Sequence, residues 1–189
     1  MMIAIGCCSY VVFLTLFLVS SVMAQQDNSS SGSEPPRWFG EHMEYMTGGT
    51  GRWIADNTPF ISETEPYDSY GTEWKWGIGR KSMTGRLFGL KEGKESGDFW
   101  QFRVFWHPGE SRAHIHQYAG TGLVGIGTMD STAGGMIRTE QQFYGTDGTV
   151  FSVGHETWEW DGDHHTQSYD ITTEGGWEKR RYYIWKPAP

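Results

Sequence analysis

The sequence predicts an all-β fold, an antiparallel up-and-down β-barrel of about nine or ten strands with a short N-terminal helix. Aromatic residues make up 15% of the 189 residues, and there are 26 glycines. Short runs of alternating apolar and polar residues recur between turn signals, whereas long helical patterns are scarce. A meander of this length loses its exposed edges when it closes into a barrel. A two-sheet sandwich is the alternative architecture.

The first 36 residues are predicted to lie outside the barrel. Residues 3–23 carry no charged side chain, and Val22 and Ala24 stand where a signal peptidase reads the chain. We expect a signal peptide over residues 1–24, cleaved after Ala24, and therefore a secreted or periplasmic protein. A retained anchor is the alternative, because the uncharged run is about long enough to span a bilayer. Residues 25–36 are rich in serine and predict a disordered linker.

Cysteine usage and charge exclude several classes of function. Both cysteines, Cys7 and Cys8, lie in the predicted signal peptide. The mature domain then has no disulfide, no thiolate metal ligand and no cysteine nucleophile. The net charge is -8, with both signs interspersed. We therefore expect no nucleic-acid partner and no stable membrane association after cleavage.

The barrel domain is predicted over residues 37–189. It opens with a short helix over residues 37–46, followed by a first strand over residues 51–55. A long connection over residues 57–71 contains two prolines and an acidic, tyrosine-bearing middle. Connections of this length often form a functional lid or portal, and a short edge strand within the connection is the alternative.

The clearest strand signal lies within residues 97–127. Alternation places large apolar side chains on one face of a strand in this stretch and on one face of an earlier strand. These two faces are predicted to line one shared interior. A barrel of eight to ten strands with an apolar lumen can hold one small ligand, although a packed core explains the same aromatics. The predicted ligand-binding residues are Trp74, Trp76, Trp100, Phe102, Trp106, His114, His116 and His155.

Gly51-Arg52-Trp53 on the first strand and Arg180 and Arg181 on the last resemble the calycin pattern of lipocalins. In that family a tryptophan after glycine closes the floor of the barrel, and an arginine near the carboxyl end packs on it. The resemblance implies a calycin-like barrel in which Trp53 is buried at one end beneath Arg180 or Arg181.

A wider resemblance covers most of the domain. Residues 73–77, 106–110 and 181–183 are similar to segments of bacterial lipocalin-like domains of uncharacterised function. This similarity implies the barrel and carries over no catalytic residues.

His114 and His116 place two imidazoles on one face of a strand, a common arrangement for chelating a metal ion. His107 and His155 are possible further ligands. Together with Pro108-Gly109-Glu110, the pair resembles the first cupin motif, which implies a metal-dependent enzyme. The carboxylate of that motif is missing, because residues 117–122 contain none. We therefore expect no metal and no cofactor. If the chain does bind a metal, the candidate ligands are His107, His114 and His116.

The loop at Pro108-Gly109 decides where the histidine pair points. A two-residue loop turns His114 and His116 outward, beside Gln101 and Arg103, whereas a three-residue loop with a bulge turns them inward. Three histidines near one hairpin favour the inward orientation, as polar groups of the cavity. Residues 164–165, two further histidines, are expected in an exposed turn.

These observations favour a secreted barrel that binds a small apolar or aromatic molecule. The alternatives are a cupin-like metal-dependent enzyme that uses His114 and His116, and a ligand-free barrel with a structural or interaction role. No Ser-His-Asp spacing, phosphate loop or pair of catalytic carboxylates is evident, so no catalytic residue is assigned and the balance is against an enzyme.

Overall fold

The computed structural model describes residues 34–189, which form one α-helix, two short 3-10 turns and ten β-strands. Helix α1 spans Arg37–Thr47, and the 3-10 turns span Thr58–Phe60 and Ile78–Arg80. The strands are β1 Arg52–Asp56, β2 Ser69–Trp76, β3 Ser82–Lys91, β4 Lys94–His107, β5 Arg112–Ala119, β6 Val124–Ser131, β7 Ile137–Tyr144, β8 Val150–Trp160, β9 Asp163–Ile171 and β10 Trp177–Pro187.

Some sequence predictions lie outside the described range. These are the signal peptide with its two cysteines, and the linker up to residue 33. Within residues 34–189, no helix has the length and apolar character needed to cross a membrane.

The ten strands form a closed antiparallel barrel. Each strand pairs with its neighbours in the chain, and β1 pairs with both β2 and β10, which closes the sheet. The predicted barrel, its approximate strand number and the N-terminal helix are therefore confirmed, and the two-sheet sandwich is excluded. Closure leaves no edge strand unpaired, which explains why so long a meander needs no second layer.

The two ends of the barrel differ. Helix α1 packs at one end, where Phe39, Met43 and Met46 are buried in the same core cluster as Trp53. The indole nitrogen of Trp53 donates a hydrogen bond of 3.0 Å to the carbonyl oxygen of Met46. We call this the helix end. The opposite end, the open end, carries the connection between β1 and β2, residues 57–68.

The predicted aromatic face forms one interior. Trp74 and Val104 are buried in a single core cluster, against which Trp76, Phe102 and Trp106 pack. The same alternation is clearest in β7, whose residues are buried and exposed in strict turn. Period-two patterning therefore predicted which side of each strand faces inward.

Glycines opposite the inward aromatics keep the interior from filling. Trp74 pairs across the sheet with Gly85, and a Cβ at Gly85 would lie 2.5 Å from Cε3 of Trp74. Phe143 pairs with Gly125 in the same way. Because the partner strand has no side chain at these positions, each ring can lie along the wall of the barrel. The large aromatics thus contribute apolar surface without occupying the axis.

The calycin resemblance is correct about the burial of Trp53 and wrong about the arginine. Trp53 is 5% exposed and its ring contacts Tyr45 and His164. Arg181 instead lies 4.8 Å above the ring of Phe60, and Arg180 is ion-paired with Asp170 on β9. The reason is position along β10. Trp53 pairs with Pro187, six residues beyond Arg181, or roughly 20 Å at the rise of a strand.

The predicted inward orientation of His114 and His116 is also wrong. The β4–β5 loop contains four residues, because His107 pairs with Arg112. An even number of loop residues keeps the same parity as a two-residue turn, so Ile115 pairs with inward Val104. His114 and His116 then face outward, opposite Phe105 and Arg103.

His164 and His165 were expected in an exposed turn, and this expectation is wrong as well. Strand β9 begins at Asp163, so both histidines lie within the strand and both are buried. His164 points into the barrel, whereas His165 lies on the outer face, stacked on Trp158.

Candidate interior binding site

The barrel encloses a cavity of about 620 Å³. Of the predicted site residues, Trp74, Trp100, Phe102 and His155 line this cavity. Trp76 and Trp106 lie outside its lining and pack against the core, where the Trp106 ring contacts Phe39 of helix α1. His114 and His116 lie on the outer face. Half of the predicted set is therefore brought together around the cavity.

Aromatic rings provide the apolar part of the wall. Trp74 and Phe102 stack with ring centroids 5.1 Å apart and planes inclined by 27°. Phe143 stacks on Phe151 at 5.3 Å and meets the edge of Trp100 at 5.6 Å. Such surfaces favour a flat ligand, because offset stacking and edge contacts add to the burial of apolar area.

Three histidines contribute neutral polar groups. Burial lowers the pKa of His42 and of His155 to about 4. Burial, together with the neighbouring His42 and His165, lowers the pKa of His164 to about 3. All three imidazoles are therefore uncharged at neutral pH, and each offers one hydrogen-bond donor and one acceptor. His42 and His164 were not among the predicted site residues, since one lies on the helix and the other was assigned to a turn.

Two glutamines in the wall were also missed. Gln117 and Gln141 are 9% and 2% exposed and line the cavity. Oε1 of Gln117, both polar atoms of Gln141 and the indole nitrogen of Trp74 have no hydrogen-bond partner within residues 34–189. The sequence held a signal for them, because each glutamine stands in the buried phase of its strand.

The connection between β1 and β2 lies at the mouth of the cavity. Thr64, Glu65 and Tyr67 line the cavity from this segment. Glu65 accepts two hydrogen bonds from the guanidinium of Arg181, at 2.5 and 2.7 Å, and a third from the hydroxyl of Tyr70. The Arg181 guanidinium holds the pKa of the Glu65 carboxyl below its usual value.

Asn57 fixes the start of the same connection. It is fully buried, its amide nitrogen donates to the carbonyl of Tyr67 at 2.9 Å, and its amide oxygen accepts from the hydroxyl of Tyr183 at 2.8 Å. Asn57 thus joins the two ends of the segment to each other and to Tyr183, which lines the cavity. This geometry gives the predicted lid or portal a defined position at the open end.

The outer histidines form a row away from the cavity. The ring centroids of His107 and His114 are 5.3 Å apart, and those of His114 and His116 are 6.4 Å apart. Glu110 lies against this row, with Oε2 2.9 Å from Nε2 of His114. In the described part of the chain, no group of three or more His, Cys, Asp or Glu side chains is arranged to hold a metal ion. The cupin-like interpretation therefore has no set of ligands in the interior.

No protein-family model fits the sequence, and no curated protein is significantly similar to it. A function for this chain therefore has to be argued from the cavity and the residues that line it.

Proposed function

We propose that this protein binds a small, uncharged aromatic or apolar molecule inside the barrel. One observation carries the proposal, a cavity of about 620 Å³ lined by aromatic side chains. Ligand pockets in proteins commonly measure about 300–1,000 Å³ and combine an apolar lining with a few polar groups. The neutral histidines and the wall glutamines are polar groups of that kind.

The charges around the cavity support an uncharged ligand. Glu65 and Arg181 are the charged side chains in its lining, and they neutralise each other at the mouth. A buried ionised ligand needs a counter-charge, and none is offered deeper in the barrel by the described residues. An apolar or aromatic molecule, by contrast, gains free energy from contact with Trp74 and Phe102.

We place this binding outside the cytoplasm. The uncharged run in residues 3–23 and the cleavage pattern at Ala24 support secretion or export to the periplasm. The calycin-like barrel supports the same function by analogy with lipocalins, whose barrels hold one small ligand within the lumen. A secreted binding protein of this kind carries or sequesters its ligand and needs no catalytic residue.

Titration with N-phenyl-1-naphthylamine, an uncharged aromatic fluorescent probe, tests the proposal. The wild-type protein should enhance the emission of the probe in a saturable manner. Val153→Phe places a ring in the cavity and should weaken binding at least about tenfold, which corresponds to about 1.4 kcal/mol.

Ser152→Phe is the matched control, since this neighbouring side chain points to the outer face and should leave the affinity unchanged. Absence of saturable binding to the wild-type protein, or equal loss in both variants, contradicts the proposal.

A further inference from the structure

Gln141 is the part of the wall that binding of a purely apolar molecule leaves unexplained. It lies on β7 in the inward phase between Thr139 and Phe143, and it is 2% exposed. Neither its Nε2 nor its Oε1 has a hydrogen-bond partner within the described residues. An unpartnered buried amide is less favourable than an apolar side chain of the same shape. Its presence in a cavity wall therefore points to a partner that binds there.

Gly127 allows strand β6 to lie close against β7 beside this amide. It stands directly opposite Gln141 on β6, and a Cβ there would lie 2.7 Å from Cγ of Gln141. The same Cβ would clash more severely with the backbone oxygen of Glu140, so glycine is required for the close approach of the two strands. The inward position of the amide is set by the alternation of β7.

The aromatic surface and the other unpartnered atoms line the same cavity as Gln141. Phe102 stacks on Trp74 at 5.1 Å and pairs across the sheet with Gln117. The indole nitrogen of Trp74 is an unpartnered donor, and Oε1 of Gln117 is an unpartnered acceptor. A molecule resting on these rings would therefore have donors and acceptors of the protein around its edge.

We propose that the ligand is a flat, uncharged heteroaromatic molecule whose edge carries a hydrogen-bond donor next to an acceptor, as a lactam does. A glutamine amide presents an N–H donor beside a C=O acceptor, so it matches such an edge with two hydrogen bonds. The ring of the ligand lies against Trp74 and Phe102. This inference rests on the proposed function and adds the chemistry of the polar edge.

Competition with the bound naphthylamine probe tests the polar edge. The two competitors are 2-quinolinone, which has a lactam edge, and naphthalene, which has the same ring size and no polar atom. Gln141→Met should weaken 2-quinolinone at least about tenfold and change naphthalene by less than about twofold. Gln142→Met is the control, because Gln142 is exposed on the outer face and should alter neither affinity.

A second comparison leaves the protein unchanged and guards against a variant that fails to fold. N-methylation of 2-quinolinone removes the donor and should weaken binding to the wild-type protein by a similar factor. The inference is overturned if 2-quinolinone does not displace the probe, or if Gln141→Met shifts both competitors alike. Both of these results leave probe binding intact, whereas failure of the probe itself to bind overturns the proposed function.

Discussion

The outer and inner faces of the barrel wall both contain an aromatic ring packed over a glycine, but the groups around the ring differ. On the outer face, Phe88 covers Gly71 and is fully buried beneath two guanidinium groups. The guanidinium carbons of Arg52 and Arg86 lie 4.7 and 4.4 Å from the centre of its ring. On the inner face, Trp74 covers Gly85 with no cation above it, and its indole nitrogen has no partner in the described structure.

The polar groups show the same difference. Arg86 forms ion pairs with Glu73, Glu95 and Asp98, so the cover over Phe88 is itself held in place. The inner wall instead leaves the amide of Gln141 without a partner among residues 34–189. A ring covered by an ion-paired guanidinium group has its contacts within the protein. A ring beside unpaired donors and acceptors instead leaves a surface to which another molecule can bind. The outer cluster therefore contributes to stability, whereas the proposed ligand would use the unpaired groups of the inner face.

The largest expected effect comes from the neutral histidines of the inner face. In the unfolded chain each histidine titrates near pH 6.5, whereas burial keeps the pKa of His42, His155 and His164 at about 4 or 3. The unfolded state therefore binds more protons in this window, and the free energy of unfolding should fall as the pH drops from 7 to 5. The loss should be roughly 5 kcal/mol for the three together.

Urea denaturation at several pH values measures this loss. His164→Gln removes one of the three proton-linked groups and should flatten the slope by about one third. A stability that is constant between pH 7 and 5 would show that the interior imidazoles are solvated, and the two faces would then differ less in the burial of their polar groups.

Truncation of Phe88 tests the outer face. Phe88→Ala removes a fully buried ring and strands the guanidinium groups above it, so the free energy of unfolding should fall by about 3–5 kcal/mol. Affinity for the naphthylamine probe should change by less than about twofold in the folded fraction, because the ring lies outside the cavity. A loss of affinity comparable to that of Val153→Phe would show that the two faces are not independent.

The sequence predicted the fold well for a local physical reason. Strand alternation and turn residues act over a few positions, and they specified the inward phase of Trp74, Trp100 and Phe102 before any contact was known. Closure into a barrel followed, because a long meander with edges is unfavourable. The same local reasoning failed for His114 and His116, whose orientation depends on whether the β4–β5 loop has an even or an odd number of residues.

The site was less predictable, because its chemistry depends on distant strands. Glu65 and Arg181 are 116 residues apart in the chain, so their pairing at the mouth follows only from closure and from the position of Arg181 along β10. Gln117 and Gln141 were visible as polar residues in a buried phase. Whether such a residue has a partner, however, is decided by the neighbouring strands. That Gly127 lies opposite Gln141, for example, follows only from the register of β6 and β7.

The smallest expected effect is a gain in stability on the inner face. Gln141→Met replaces an amide without partners by an apolar side chain of similar length, so the free energy of unfolding of the ligand-free protein should rise by about 1–2 kcal/mol. Gln142→Met, on the exposed side of the same strand, should leave it unchanged within about 0.5 kcal/mol. Urea denaturation of the three proteins measures the difference. A gain in stability combined with weaker lactam binding would show that this position is selected for recognition at the expense of packing, whereas a loss of stability would mean that the amide supports the wall and that the contrast between the two faces does not hold at Gln141.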